Sequence, residues 1–374
     1  FFFFFFFFFF FRKLSQKLMF IVFEELVYYQ SVVSLSSWFN FGFLSGFSIA
    51  IQVITGFFLA CYYDSNSEFA YDSLQFVVRE LNFMWCTRFV HANMASATFL
   101  YIYLHIAKAL LNMAYRSYKE LMWLLGILIL FLLLAIGFSG YSLVWGQMSY
   151  WALTVITNII TVVPVYGPDL LEFIWGNTVL TTYSLRRFFC FHFIAPFIVL
   201  FLVILHLLVG HRSYTNHYMN IHTADFDRVS FLVGGMSKDI YFFWNTMIIV
   251  MFVVLLNTNM LIHPDNYLYA MAYVTPVHIE PEWYFLPYYA LLRSMPHKLT
   301  GALFLVFGVF VFGIFTIVAS YDRALLSLSK GIIITFIVNF CYLGYLATCP
   351  MAFPYIDFTL MLVWIHFYLL ILIV

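Results

Sequence analysis

Charged residues are scarce in this sequence: Lys, Arg, Asp and Glu make up 9% of its 374 residues, whereas a soluble domain carries roughly 25%. The 17 basic and 17 acidic residues balance, so no excess of positive charge suggests a nucleic-acid partner. Hydrophobic residues make up 64% of the chain. This composition excludes an ordinary soluble domain and indicates an integral membrane protein with several spans.

Cysteine is sparse as well, and the sequence contains no CxxC or CxxCH pattern. This argues against a zinc site, an iron–sulfur cluster, a disulfide framework and a covalently attached haem. The chain also lacks an initiating methionine and opens with eleven phenylalanines. No charged segment or small-residue cleavage site accompanies this run, so it does not predict a signal peptide. The five cysteines are Cys61, Cys86, Cys190, Cys341 and Cys349.

Apolar runs of about 20 residues predict eight membrane-spanning helices, A to H. Two further segments, 14–33 and 146–160, are more polar or shorter and predict helices that lie at the membrane surface. The expected fold is therefore an all-α integral membrane protein, divided into 1–37, a four-helix bundle over 38–212 and a four-span region over 213–374. The predicted spans are 39–62, 84–111, 121–145, 188–210, 240–262, 300–320, 331–349 and 355–374.

An even number of spans places both termini on the same side of the membrane. The loops on that side contain eleven basic residues and the opposite loops contain six. Because Lys and Arg accumulate in cytoplasmic or matrix loops, we expect both termini on that face. The loop between spans E and F then lies on the opposite, positive face.

Histidine occurs in pairs within two of the predicted spans. His91 and His105 in span B are 14 residues apart, as are His192 and His206 in span D. Fourteen residues turn a helix through roughly 1,400°, so each pair shares one helix face and spans about 21 Å. Spans B and D run parallel, which brings His91 level with His192 and His105 level with His206. A lone histidine would suggest a packing residue, but two facing pairs predict axial ligands for two haem irons.

Glycines in spans A and C repeat the interval of 14, and the antiparallel direction of these spans brings each glycine level with a histidine pair. A glycine lets the backbone approach a flat macrocycle closely, although close helix packing would also use small residues. With histidine at both axial positions, each iron would transfer electrons. Arg88 and Lys108 flank the histidine pair at opposite ends of span B and suit haem propionates, or they are ordinary helix-end residues. The glycines are Gly42, Gly56, Gly126 and Gly140.

The loop between spans E and F, residues 263–299, is long and aromatic, and its PEWY stretch sets Glu282 among aromatic side chains. A carboxylate in such a pocket can bind protons near neutral pH, as quinol oxidation requires; the alternative is an aromatic loop resting at the interface. On the opposite face, His211, Lys238 and Asp239 could deliver protons to a quinone, or they are solvated helix ends.

From about Trp38 to the C-terminus these features resemble the cytochrome b family, the dihaem core subunits of the mitochondrial cytochrome bc complex (respiratory complex III). The PEWYFLPYYALLRS stretch is highly specific. Besides the histidine pairs, the resemblance rests on GQMS-W--TVITN (146–158), RFF--H (187–192), HPDNY (263–267) and PEWYFLPYYALLRS (281–294).

The resemblance implies a low-potential b-type haem at His91/His192 and a high-potential one at His105/His206, with Gln52 at a haem site. It implies a quinone-reduction site with His211, Lys238 and Asp239. It also implies ubiquinone as substrate, proton translocation, the mitochondrial inner membrane with both termini in the matrix, and surrounding lipid. The implied partners are the Rieske iron–sulfur protein, cytochrome c1, other complex III subunits and a second copy of the complex. The implied quinol-oxidation site comprises Tyr141, Met148, Trp151, Ala152, Ile156, Pro281, Glu282, Tyr284 and Tyr289.

The sequence departs from the family pattern at several positions. Ala152 stands where the family has glycine, and its extra methyl group predicts reduced sensitivity to methoxyacrylate-type inhibitors with quinol turnover largely kept. Tyr150 and Met94 replace a histidine and a glycine, from which we expect small effects. A family serine in the reduction site has no clear counterpart, and Ser213 and Thr215 are candidates.

Two other functions fit part of this pattern. A transmembrane dihaem reductase that serves a soluble acceptor would use the same histidine pairs, but it would not require the PEWY loop. A transporter would use the histidines as a proton relay, and it explains neither the parallel pairing nor the glycine interval. An absence of haem in the purified protein would favour the transporter.

Overall fold

The structure is a computed structural model that describes residues 30–32, 36–115, 119–212, 228–318 and 326–373. Helices dominate the described residues, and we number the α-helices in chain order. They are α1 (Phe41–Ala60), α2 (Ala70–Arg79), α3 (Met84–Leu111), α4 (Glu120–Ser142), α5 (Gln147–Thr157), α6 (Gly167–Trp175), α7 (Thr182–Arg212), α8 (Phe231–Gly234), α9 (Met236–Leu256), α10 (Leu286–Arg293), α11 (Lys298–Val318), α12 (Leu326–Thr348) and α13 (Tyr355–Ile373).

Within the part of the chain that the structure describes, seven helical segments are long and apolar enough to cross a membrane. The remaining predicted span, F, corresponds to α11, whose apolar part, Lys298–Ile314, is shorter. The predicted spans therefore coincide with α1, α3, α4, α7, α9, α11, α12 and α13, and the prediction of an all-α membrane fold is confirmed. The seven segments are Ser37–Ala60, Met84–Leu111, Glu120–Ser142, Thr182–His211, Phe231–Leu256, Ser329–Thr348 and Tyr355–Ile373.

The structure differs from the sequence predictions at the N-terminal surface helix. Residues 30–32 form a short strand, β1 (Gln30–Val32), that pairs antiparallel with β2 (Arg228–Ser230). The helix prediction was therefore wrong for these three residues, because pairing with a sequence-distant strand satisfies their backbone groups. The rest of that predicted helix and the phenylalanine run lie outside the described residues.

Shorter helices connect several of the long ones. The segment between the third and fourth spans forms α5 and α6 joined by a 3-10 turn at Asn158–Val162. The prediction of a helix within 146–160 is confirmed, and its place at the membrane surface stays a prediction. Helix α2 was not predicted, because Asp72 and Arg79 interrupt its apolar pattern, yet Tyr71 and Val77 are buried. The loop before α10 contains 3-10 turns at Pro264–Tyr267 and Trp283–Phe285.

The first four spans pack as two helix pairs, α1 along α3 and α4 along α7. A buried cluster in the middle of the molecule joins α3, α4 and α7 to Tyr284 and Tyr288 of the aromatic loop. Helices α12 and α13 pack on each other and on α10. This arrangement brings the aromatic loop against the bundle that carries the four histidines.

Candidate functional site

The four histidines of α3 and α7 face each other in two pairs. The ring centroids of His91 and His192 lie 6.2 Å apart, and those of His105 and His206 lie 6.3 Å apart. Metal–imidazole bonds of about 2 Å on both sides, with about 1 Å from each nitrogen to its ring centre, give a separation of about 6 Å. Both pairs therefore stand at the spacing that two axial ligands of one metal require.

Hydrogen bonds orient the first pair. Nδ1 of His192 lies 2.9 Å from the Ile136 carbonyl oxygen, which can only accept, so this nitrogen donates. The Thr55 hydroxyl donates to the Ile51 carbonyl at 2.7 Å and accepts from His91 Nδ1 at 2.9 Å. With both protons on Nδ1, the Nε2 lone pairs of His91 and His192 are available to a metal.

Each of the four predicted glycines faces one histidine. A Cβ atom at Gly140 would lie 2.4 Å from Cε1 of His192, a distance that no side chain tolerates without displacement. At Gly126 the corresponding distance is 3.3 Å, which requires a smaller adjustment. The absent side chains leave room beside the imidazoles, as a flat macrocycle requires. The pairs are Gly42 with His105, Gly56 with His91, Gly126 with His206 and Gly140 with His192.

A cavity of about 240 Å³ surrounds the first histidine pair. Apolar side chains form most of its wall, with Arg88 and Gln52 among the few polar groups. Oε1 of Gln52 is buried and has no hydrogen-bond partner among the described residues. An apolar cavity with a cation, an unsatisfied amide and two imidazoles fits a haem. At the second pair, Lys108 places its Nζ 3.5 Å from the Phe39 ring centroid.

The same cavity reaches the aromatic loop. Glu282 and Tyr284 of the loop line it together with Tyr141 of α4. Burial raises the pKa of the Glu282 carboxyl to about 7, and the positive charge of Arg88 opposes part of this increase. Burial also raises the pKa of Tyr284. Glu282 is therefore the group at this site that can gain or lose a proton near neutral pH.

The structure brings only three of the nine predicted quinol-site residues to the cavity wall. Met148 and Ala152 are buried in α5, and the Trp151 indole N–H donates to the Met271 carbonyl at 3.2 Å. Their expected contact with quinol, and the effect of Ala152 on inhibitors, stay predictions. Ile156, Pro281 and Tyr289 also lie away from the cavity wall, and Tyr289 stacks with Arg293.

Two of the motifs that carry the resemblance meet beside the cavity. The Gln147 side chain accepts from the Met271 N–H at 2.7 Å and donates to the Val274 carbonyl. The Asn266 carboxamide accepts from the Ser149 N–H at 3.0 Å. The start of α5 is therefore fastened to the loop that follows α9.

On the opposite face, Asp239 is 5% exposed and accepts a hydrogen bond of 2.6 Å from the Asn40 carboxamide. The His211 ring lies 6.2 Å from that of Phe231, and Lys238 precedes Asp239. Sequence reasoning missed Asn40, whose signal was only a polar residue at the start of an apolar run. The serine candidates, residues 213 and 215, lie outside the described residues.

Family models and related proteins that match this chain are described as cytochrome b. A family model described as Cytochrome b/b6/petB matches residues 26–214, and one described as Cytochrome b(C-terminal)/b6/petD matches residues 269–368. A cytochrome b of Dictyostelium citrinum is 38% identical over 341 residues, covering 90% of this chain and 87% of that protein. A cytochrome b of Candida albicans is 39% identical over 333 residues, covering 87% and 84%.

A solved structure described as a hyperthermophilic respiratory complex III contains a similar chain. Its TM-score is 0.87 at 27% identity, and the match covers 94% of both chains. The likeness therefore extends over both the histidine bundle and the C-terminal helices.

Proposed function

This chain belongs to the cytochrome b family, and on that premise we propose that it is the transmembrane electron-transfer subunit of a quinol:cytochrome c oxidoreductase. The observation that carries the proposal is the single cavity that joins the His91/His192 pair to Glu282. It sets a pair of potential iron ligands beside a titratable carboxyl group. A substrate in this cavity could therefore give an electron toward the histidine pair and a proton to Glu282.

The two histidine pairs would hold two b-type haems, the low-potential one at His91/His192 and the high-potential one at His105/His206. When bound, each haem would take up and release single electrons. The chain supplies the axial nitrogens, the glycine-lined space and the depth of each site. Arg88, Gln52 and Lys108 would pair with polar groups of the haems at the two ends of α3.

Quinol oxidation would take place beside Glu282 on the positive face. Removing two electrons from a quinol releases two protons, and a carboxylate with a pKa of about 7 can accept one of them. Tyr141 and Tyr284 would orient the quinol ring from the cavity wall. The apolar lining would exclude bulk water, so that protons leave through the carboxylate.

Quinone reduction would take place on the opposite face at His211, Lys238 and Asp239. Reduction requires two protons, and the buried Asp239 carboxyl and the His211 imidazole can deliver them. The Asn40 carboxamide holds Asp239 in place. Oxidation on one face and reduction on the other would translocate protons.

We further propose ubiquinone as the substrate and the mitochondrial inner membrane as the location, with both termini on the matrix side. The partners would be the Rieske iron–sulfur protein, cytochrome c1 and other complex III subunits, in a dimeric complex. Assembly within complex III is supported by the matching solved structure. A reductase that serves a soluble acceptor would leave the Glu282 cavity without a role.

A redox titration of the purified complex tests this function, with extracted haem quantified per chain and quinol:cytochrome c reductase activity measured alongside. We expect two b-type haems that titrate at separate potentials. One haem per chain would make one histidine pair structural and remove the electron route across the membrane. An absence of haem would contradict the proposal and favour a transporter.

A further inference from the structure

Helix α3 carries two separate functional faces. At 100° per residue, His91 and His105 lie within about 40° of each other, and Ser96, Phe99 and Tyr103 share a second arc of about 60°. The centres of the two arcs are about 130° apart. The second arc faces the aromatic loop and contacts Trp283 and Tyr284, the two residues that follow Glu282.

The Trp283 side chain is held from two positions on this arc. Its indole N–H donates to the Ser96 hydroxyl oxygen at 3.1 Å. The Tyr103 ring meets the Trp283 ring edge-on, with centroids 6.2 Å apart and an interplanar angle of 75°. An indole N–H within an apolar core needs such an acceptor, so Ser96 specifies where Trp283 lies.

The Tyr284 ring is stacked on Phe99, with centroids 3.9 Å apart and an interplanar angle of 9°. Helix α4 backs this stack at Gly137, where a Cβ atom would lie 3.1 Å from Phe99 and 3.5 Å from Tyr284. The stack fills the space that the missing side chain leaves. Tyr284 is therefore fixed between two of the membrane-spanning helices.

The backbone of the same segment is fixed by Tyr103. Its hydroxyl donates to the Tyr284 carbonyl oxygen. One turn of 3-10 helix then links Tyr284 to Glu282, because the Phe285 N–H donates to the Glu282 carbonyl at 2.8 Å. A displacement of Trp283 or Tyr284 would consequently move Glu282 relative to the cavity.

We propose that Ser96, Phe99 and Tyr103 are positioning residues for quinol oxidation: they hold Trp283 and Tyr284 so that the Glu282 carboxyl faces the cavity beside His91 and His192. This inference rests on the proposed function. One rigid helix would then fix both the His91 nitrogen that would hold the iron and the Glu282 carboxyl that would take the proton. Their separation is set by α3 and does not depend on the conformation of the long loop.

The test compares Tyr103→Phe with Tyr101→Phe in the purified complex. Both variants remove one tyrosine hydroxyl from α3, but the Tyr101 hydroxyl donates to Thr246 on α9, at 2.9 Å. In Tyr103→Phe we expect kcat for quinol oxidation to fall at least about fivefold, because the variant removes the hydrogen bond to the Tyr284 carbonyl and also the hydroxyl's contact with the Tyr288 side chain. The acid limb of the pH–rate profile should shift, while haem per chain and the haem potentials stay unchanged. Tyr101→Phe should match the wild type.

Identical kcat and pH profiles for the two variants would overturn the inference, as would loss of haem from Tyr103→Phe, which would make Tyr103 a structural residue. If Tyr103→Phe does not assemble, Ser96→Ala and Trp283→Phe with their double variant provide the same test. Their effects on kcat should be non-additive if the hydrogen bond positions the loop, and additive effects would overturn the inference. A wild-type complex without quinol oxidation would instead contradict the proposed function.

Discussion

Glu282 sets the pH dependence that we expect for quinol oxidation. Its raised pKa of about 7 means that the carboxyl is protonated below this pH and ionised above it. Because only the carboxylate can accept a proton, kcat should fall about tenfold per pH unit below pH 7. In Glu282→Gln, kcat should be lower at pH 8 and should lose this acid limb.

The matched control is Glu280→Gln, which removes a carboxyl two residues earlier that pairs with the exposed His278 at 2.7 Å. This variant should keep the wild-type pH profile. Steady-state rates from pH 5.5 to 9 distinguish the two variants. An unchanged acid limb in Glu282→Gln would show that another group accepts the proton.

The glycines beside the histidines allow a graded test of the haem sites. An alanine Cβ at position 140 would lie 2.4 Å from His192, whereas one at position 126 would lie 3.3 Å from His206. We expect Gly140→Ala to lose the haem of the first pair and Gly126→Ala to keep both haems. Haem per chain and the redox titration measure this difference. Equal haem loss in the two variants would contradict the assigned spacing.

At the scale of elements, α13 packs against α12 and buries His366 there. The His366 ring lies 4.7 Å from Phe336 and 6.3 Å from Phe340, and its Nδ1 has no hydrogen-bond partner within the described ranges. A buried nitrogen without a partner costs about 1–3 kcal/mol. We therefore expect His366→Phe to keep or raise the thermal inactivation midpoint of the complex.

A substitution that shortens a buried side chain on the same helix provides the reference for this prediction. Val363 is fully buried, and Val363→Ala should destabilise the complex by about 2 kcal/mol through lost burial. A comparable loss of stability in His366→Phe would show that Nδ1 has a partner, such as a buried water.

The positions of the spans could be predicted because each is a long apolar run, and helix periodicity together with chain direction predicted which histidines face each other. The ends of the spans were less predictable. Helix α7 begins at Thr182, six residues before the predicted span, because Arg186 and Arg187 continue the helix although they end the apolar run. The contacts that hold Trp283 and Tyr284 against α3 could not be predicted from a local sequence pattern, since Ser96 and Trp283 are 187 residues apart.

At the scale of the whole molecule, orientation determines which face oxidises quinol. Cys61 is exposed where α1 ends, at the positive face in the proposed orientation. A membrane-impermeant maleimide should label Cys61 in mitoplasts and not in inverted inner-membrane vesicles, and Cys61→Ser should remove this labelling. The opposite pattern would reverse the assignment of the two quinone sites.

The interval of 14 residues between the histidines of α3 also determines what share of the membrane potential would lie between the two histidine pairs. About 21 Å along the helix axis is roughly two-thirds of a hydrocarbon core of about 30 Å. In the proposed orientation, an electron passing from the His91/His192 pair to the His105/His206 pair would travel against the membrane potential, which costs about 2.3 kcal/mol per 100 mV for a full crossing. In the proposed arrangement, a haem at His105/His206 would have to be more oxidising than one at His91/His192 by about 70 mV for each 100 mV of membrane potential to keep this transfer energetically level. The spacing of the two histidines would thus determine how strongly a membrane potential opposes the electron transfer that helps to generate it.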